Sequence, residues 1–203
     1  MKTRSEPFLW IHLGGIVVFP LTLAVTLIGL GTGTSYGYLV ELPLIIAIAI
    51  LPVLLMQLYR PFNIFSVLFL SLKPETLTEV QRKILALFQT RRQKTISAIA
   101  SLILIALLLL LYYLAPKTTE ISALLPQHRS LGLAIAMAAF FGSNLFLQVP
   151  LSALQVLLAS ETEYSESQAC SVAEVKQDFT APGLLVSKIP FLSSSALGER
   201  KTN

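Results

Sequence analysis

Charge is scarce in this chain. Only 13% of its 203 residues are Asp, Glu, Lys or Arg, where a soluble domain carries about 25%. Such a chain has too few polar groups to clothe a water-facing globule, which implies a second, apolar solvent. Cysteine is represented once, by Cys170, so neither an internal disulfide nor a paired-thiol metal site is available. Histidine occurs twice, as His12 and His128, with no HExxH spacing. Neither joins a Ser-His-Asp pattern beyond chance. The glycines Gly29, Gly31 and Gly33 follow no strand and lead to no Lys-Ser/Thr pair, so they are not a phosphate loop. These absences point to a non-catalytic protein and give no reason to expect a cofactor.

Long apolar runs are what the sequence has in quantity. Hydrophobic residues make up 54% of it, and the mean hydropathy is +0.73. Four charge-poor stretches, at about 8–30, 39–59, 96–114 and 131–149, are each long enough for a hydrocarbon core of ~30 Å. The first exceeds the ~7–15 residues of a signal-peptide core and carries Pro20 in its middle, so it reads as a retained anchor. The stretch 62–72 is apolar but too short to span, which suggests an interfacial or re-entrant segment. The expected fold is therefore all-α and integral to a membrane, with about four transmembrane helices in a membrane domain of residues 1–158.

Between the second and third runs the pattern changes. Leu77, Val80, Ile84, Leu87 and Phe88 recur at helical spacing opposite Glu79, Arg82 and Lys83, giving an amphipathic helix over 76–92. Thr78 and Gln81 have the spacing of a capping box. Arg82, Lys83, Arg91 and Arg92 would lie near anionic headgroups if the apolar face rests on the bilayer; docking on a soluble partner is the other reading. From 159 to 203 the chain is polar, rich in Ser and Glu, and reads as a disordered tail.

Arg60, Lys73, Arg82, Lys83, Arg91, Arg92 and Lys94 face only Glu75 and Glu79 in the segment 60–94, whereas the turn at 31–38 is uncharged. The positive-inside rule puts that segment, and with it both termini, in the cytoplasm. The net charge of +4 thus reports orientation rather than nucleic-acid binding.

Ionisable groups within spans are functional candidates. His12 could ligate a tetrapyrrole metal through a neutral imidazole, or be a hydrogen-bonded histidine near the headgroups. Glu41 could be a proton or cation site, or simply a first-turn carboxylate favoured by the helix dipole; no partner for it is evident in the sequence. Asn144 and Gln148 share a face of the fourth run, and Ala134, Ala138 and Gly142 form a small-residue ridge, both suited to helix packing. The expected role is an accessory, assembly or scaffold subunit that contacts lipid and other membrane subunits. A pigment-associated protein using His12, or a small transporter or channel using Glu41, is the alternative.

The blocks SEPFLWIHLGG (5–15), LYRPFNIFSVL (58–68), LKPETLTEVQRKILALFQTRR (72–92) and SNLFLQVPLSALQVLLASE (143–161) resemble a cyanobacterial family, the low-complexity tail membrane proteins. The resemblance covers about residues 5–161. It implies a photosynthetic bacterial host, a plasma or thylakoid membrane, and no assigned activity.

Overall fold

The computed structural model describes residues 2–67 and 69–189. Among these, four helices are long and apolar enough to cross a membrane: Pro7–Leu30, Tyr38–Tyr59, Arg91–Thr118 and Arg129–Leu157, here spans 1 to 4. Four crossings bring residue 189 back to the face of the bundle where the chain enters, here the terminal face; the opposite end is the distal face. Most side chains on the outside of the spans are large and apolar, Val17, Leu21, Leu39, Leu102 and Ile103 among them, as a lipid-facing surface requires.

Prolines shape the spans. Pro20 supplies no N–H and its ring crowds the carbonyl four residues back; span 1 accordingly tightens to a 3₁₀ turn at Gly15–Val17 before continuing as Val18–Leu30. Span 2 widens to a π turn at Ile46–Ile50, just ahead of Pro52. Span 4 takes a different course. The apolar run 131–149 ends just before Pro150, but the helix continues through that residue to Leu157, with Pro150 itself buried.

Span 3 also starts earlier than hydropathy implied. Thr90 caps it by accepting from the Gln93 amide at 3.3 Å, so Arg91, Arg92 and Lys94 belong to the first turn of the span. The expected helix over 76–92 is therefore split. Its first part, Glu79–Ala86, is an α-helix with the anticipated Thr78/Gln81 capping box, and a 3₁₀ turn at Leu87–Gln89 follows.

The segment 62–72 holds no helix among its described residues. It folds into a short antiparallel hairpin of β1 (Ser66–Val67) and β2 (Leu70–Leu72), and β2 pairs in parallel with β3 (Leu184–Val186). β3 comes from the polar stretch read as disordered. Up to Ile189 that stretch is folded, with helices Glu161–Glu166 and Val172–Asp178, each opened by a capping box, Ser160/Glu163 and Ser171/Glu174. Its order has an apolar cause: Val175, Phe179 and Ile189 are buried in a core with Ile84, Leu85, Phe65 and the terminal-face ends of spans 1 and 4. Residues 190–203, the remainder of the expected tail, lie outside the described residues.

Two cores result. One fills the membrane bundle around Ile45, Leu104, Leu108, Ala136 and Phe140. The other forms a cap on the terminal face.

Candidate functional site

Spans 1 and 4 approach each other backbone to backbone. A Cβ on Gly29 would come within 2.7 Å of the Gly132 carbonyl and 2.8 Å of the Ala136 amide, and one on Gly132 within 2.7 Å of the Gly29 carbonyl. Only glycine fits here, and the backbones pack directly against one another. The glycines near residue 30 thus have a packing role that loop reasoning did not find. The ridge proposed from spacing lies elsewhere. Ala134 and Ala138 are exposed on the outside of span 4, while Gly142 turns partly inward, where Thr22 Cγ2 would sit 3.6 Å from its Cβ.

Two clusters of polar groups stand out inside the bundle. Just inside the terminal half, Asn144 Nδ2 donates to the carbonyls of Ala49 and Ile50 at 2.9 and 3.3 Å, on the π turn next to Pro52. A broken ladder in lipid needs such a substitute partner for its carbonyls. Gln148 Nε2 donates to Asn144 Oδ1 at 2.8 Å and to Ser101 Oγ at 2.9 Å. The expected Asn144/Gln148 face therefore ties spans 2, 3 and 4 within this one chain. On the other side of span 4, Ser143 donates to Thr22 Oγ1 of span 1 at 2.8 Å.

The second cluster is at the distal face. Glu41 is completely buried and forms a two-pronged ion pair with Arg129, which is 6% exposed. The sequence offers Glu41 no evident partner; the structure supplies one, because span 4 begins at Arg129 itself. The same guanidinium donates from Nη1 to the Leu30 and Thr32 carbonyls at 2.6 and 3.0 Å. Glu41 Oε1 also accepts from the Tyr36 amide at 2.7 Å. One arginine thereby satisfies orphan carbonyls at the end of span 1 and the carboxylate in the first turn of span 2. Its planar fork suits this double task, which an ammonium could not perform.

His12 sits near the terminal end of span 1. Its Nδ1 bonds the Phe8 carbonyl at 2.8 Å, and its ring meets Phe62 edge-on with centroids 5.6 Å apart. With Nδ1 as the donor, the Nε2 lone pair remains for another partner.

The basic residues are divided by the cap. The apolar face of the Glu79–Ala86 helix packs against the protein's own core, with Ile84 and Leu85 fully buried, rather than resting on lipid. Lys83 donates to the Ser165 carbonyl at 3.0 Å and lies over the Tyr164 ring. The Arg82 carbonyl receives the Cys170 amide. Arg91 and Arg92 are exposed at the start of span 3, Arg92 with Glu163 3.9 Å away.

A family model, low-complexity tail membrane protein-like, matches residues 5–191. The chain belongs to that family. No curated protein and no solved structure matches it. The matched region runs thirty residues past the resemblance read from sequence blocks and takes in the helices and strand of the cap, so the folded part of the terminal segment is included in what defines the family. The family is one of membrane proteins, in keeping with the four apolar spans.

Proposed function

We propose that this chain is a non-catalytic accessory or scaffold subunit that meets another membrane helix along Ala134 and Ala138. One observation carries the reading: the polar and small residues that could serve packing are divided between inside and outside. Asn144, Gln148, Ser143 and Gly132 are consumed by contacts within the chain, whereas Ala134 and Ala138, one helical turn apart, face outward. In lipid, helices associate through such small residues because close backbone approach gains dispersion contacts. Glu41 is engaged by Arg129 as a structural clamp, which favours this role over ion passage. The basic residues of the cap and of span 3's first turn orient the terminal face towards the cytoplasm by the positive-inside rule.

The test is mild solubilisation of tagged chain from native membranes, comparing wild type with the double variant Ala134→Ile, Ala138→Ile. A partner that accompanies wild type and is lost from a folded, equally abundant variant supports the reading. A wild-type chain that migrates alone, or a partner retained by the variant, refutes it. The free Nε2 of His12 leaves room for a pigment-associated role. An absorption spectrum of the same preparation decides that: bound pigment that disappears in His12→Ala would establish it.

A further inference from the structure

Where spans 3 and 4 reach the terminal face, a cleft of about 300 Å³ opens between them and the Glu161–Glu166 helix. Leu87 and Val156 contribute apolar wall, and two glutamines, Gln93 and Gln155, line it. Their amides are in an unusual state. Gln93 is 5% exposed; its Nε2 donates to the Ser152 carbonyl at 3.0 Å, but its Oε1 has no partner, and neither terminal atom of Gln155 has one. Buried amide atoms left unpaired cost about 1–3 kcal/mol each. Such groups in a native fold call for an occupant that satisfies them. Glutamine's terminal torsion is soft, so the Gln155 amide can turn toward a guest at little cost, while Gln93 keeps its bond to Ser152 and has Oε1 to offer.

The chemistry of the lining selects the guest. Gln155 offers one NH2 donor and one acceptor, and Gln93 offers a second acceptor. A hydroxyl matches this set, since it both donates and accepts. Arg92 stands at the rim with Glu163 and Glu166, a net negative charge that disfavours a phosphate, and the unpaired atoms of the lining are neutral amides, which match an uncharged polar guest. The volume lies at the lower end of ligand clefts, about 300–1,000 Å³, enough for one sugar ring. Arg91 and Leu157 mark the ends of spans 3 and 4 here, which places the cleft at headgroup depth. We propose that it binds an uncharged polyhydroxylated group, the glycosyl headgroup of a membrane lipid or a free sugar.

The full chain in phosphatidylcholine nanodiscs tests this by native mass spectrometry and thermal unfolding. Three additions are compared: monoglucosyl diacylglycerol, phosphatidylglycerol and free methyl glucoside. The glucosyl lipid should be retained and should raise the melting temperature. Gln155→Leu should weaken retention by about tenfold, the equivalent of one hydrogen bond. That variant removes two unpaired buried atoms, so it should fold at least as well as wild type. Binding of methyl glucoside with the same Gln155 dependence also supports the site and assigns a soluble source. Retention of neither sugar-bearing probe would mean a cleft filled by water alone and would overturn the proposal. Equal retention of phosphatidylglycerol, or retention indifferent to Gln155→Leu, would overturn it too.

Discussion

Replacing Arg129 by methionine should reveal how much of the bundle hangs on its distal clamp. The substitution removes both prongs on Glu41 and the two bonds to the Leu30 and Thr32 carbonyls. It strands a fully buried carboxylate with the Tyr36 amide and the Tyr112 hydroxyl as its remaining donors. Breaking a buried pair by removing one member costs about 3–5 kcal/mol, because the other charge stays behind. Glu41→Leu should cost a similar amount, leaving the guanidinium with its two carbonyls alone. The double variant Glu41→Leu, Arg129→Met strands no charge and loses mainly the two carbonyl bonds, about 1–3 kcal/mol. Equilibrium unfolding in mixed micelles across this double-mutant cycle should therefore give a coupling of about 3 kcal/mol or more. Additive losses would refute the clamp. So would single variants within about 0.5 kcal/mol of wild type, the range of ordinary surface changes.

Gly132→Ala should destabilise the bundle by about 1–3 kcal/mol, the usual cost of overpacking, since its Cβ meets backbone at 2.7 Å; the same unfolding assay reads it. Asn144→Leu should cost about 0.6–2 kcal/mol and speed hydrogen exchange around the π turn Ile46–Ile50, whose carbonyls it frees. Phe179→Ala should cost about 3–5 kcal/mol, loosening the cap so that trypsin cuts after Lys176 sooner. Glu6 is buried with Oε1 unpaired, and burial pushes its carboxyl above the ordinary value of 4.5, only partly offset by Gln81 and the Phe8 amide. The folded state then binds the proton more tightly than the unfolded chain, so its stabilising effect is complete below pH 4.5 and declines as pH rises through the raised value. Glu6→Gln should flatten that decline in a stability-versus-pH curve and make the protein more stable at neutral pH.

The spans were legible because lipid imposes a long, unbroken hydropathy signal, and the basic residues marked one face. Their ends were less so. Arg129 looks like a loop residue by charge, yet it starts span 4 because its guanidinium is neutralised by Glu41, a partner 88 residues away that no local pattern discloses. Span 3 likewise begins at Arg91 because Thr90 caps it, a signal the apolar count passes over. Residues 159–189 are folded for a reason their composition hides. That composition is polar, but Ser160-x-x-Glu163 and Ser171-x-x-Glu174 are capping boxes of the kind recognised at Thr78, and Val175 and Phe179 are spaced to bury. Short helices that fold only against a distant core lack the periodicity of independent ones. Asn144 and Gln148 were recognised as packing residues, but only the π turn beside Pro52 explains what Asn144 is for.

The most direct test of the proposed role places a photoreactive amino acid at Ala138 in chain expressed in its native membranes, with Leu102, a lipid-facing residue of span 3 that is 66% exposed, as control. A scaffold that receives a partner helix on the ridge should give one discrete crosslinked protein from Ala138 and only lipid adducts from Leu102. Lipid adducts alone at both positions, or the same proteins at both, would contradict it.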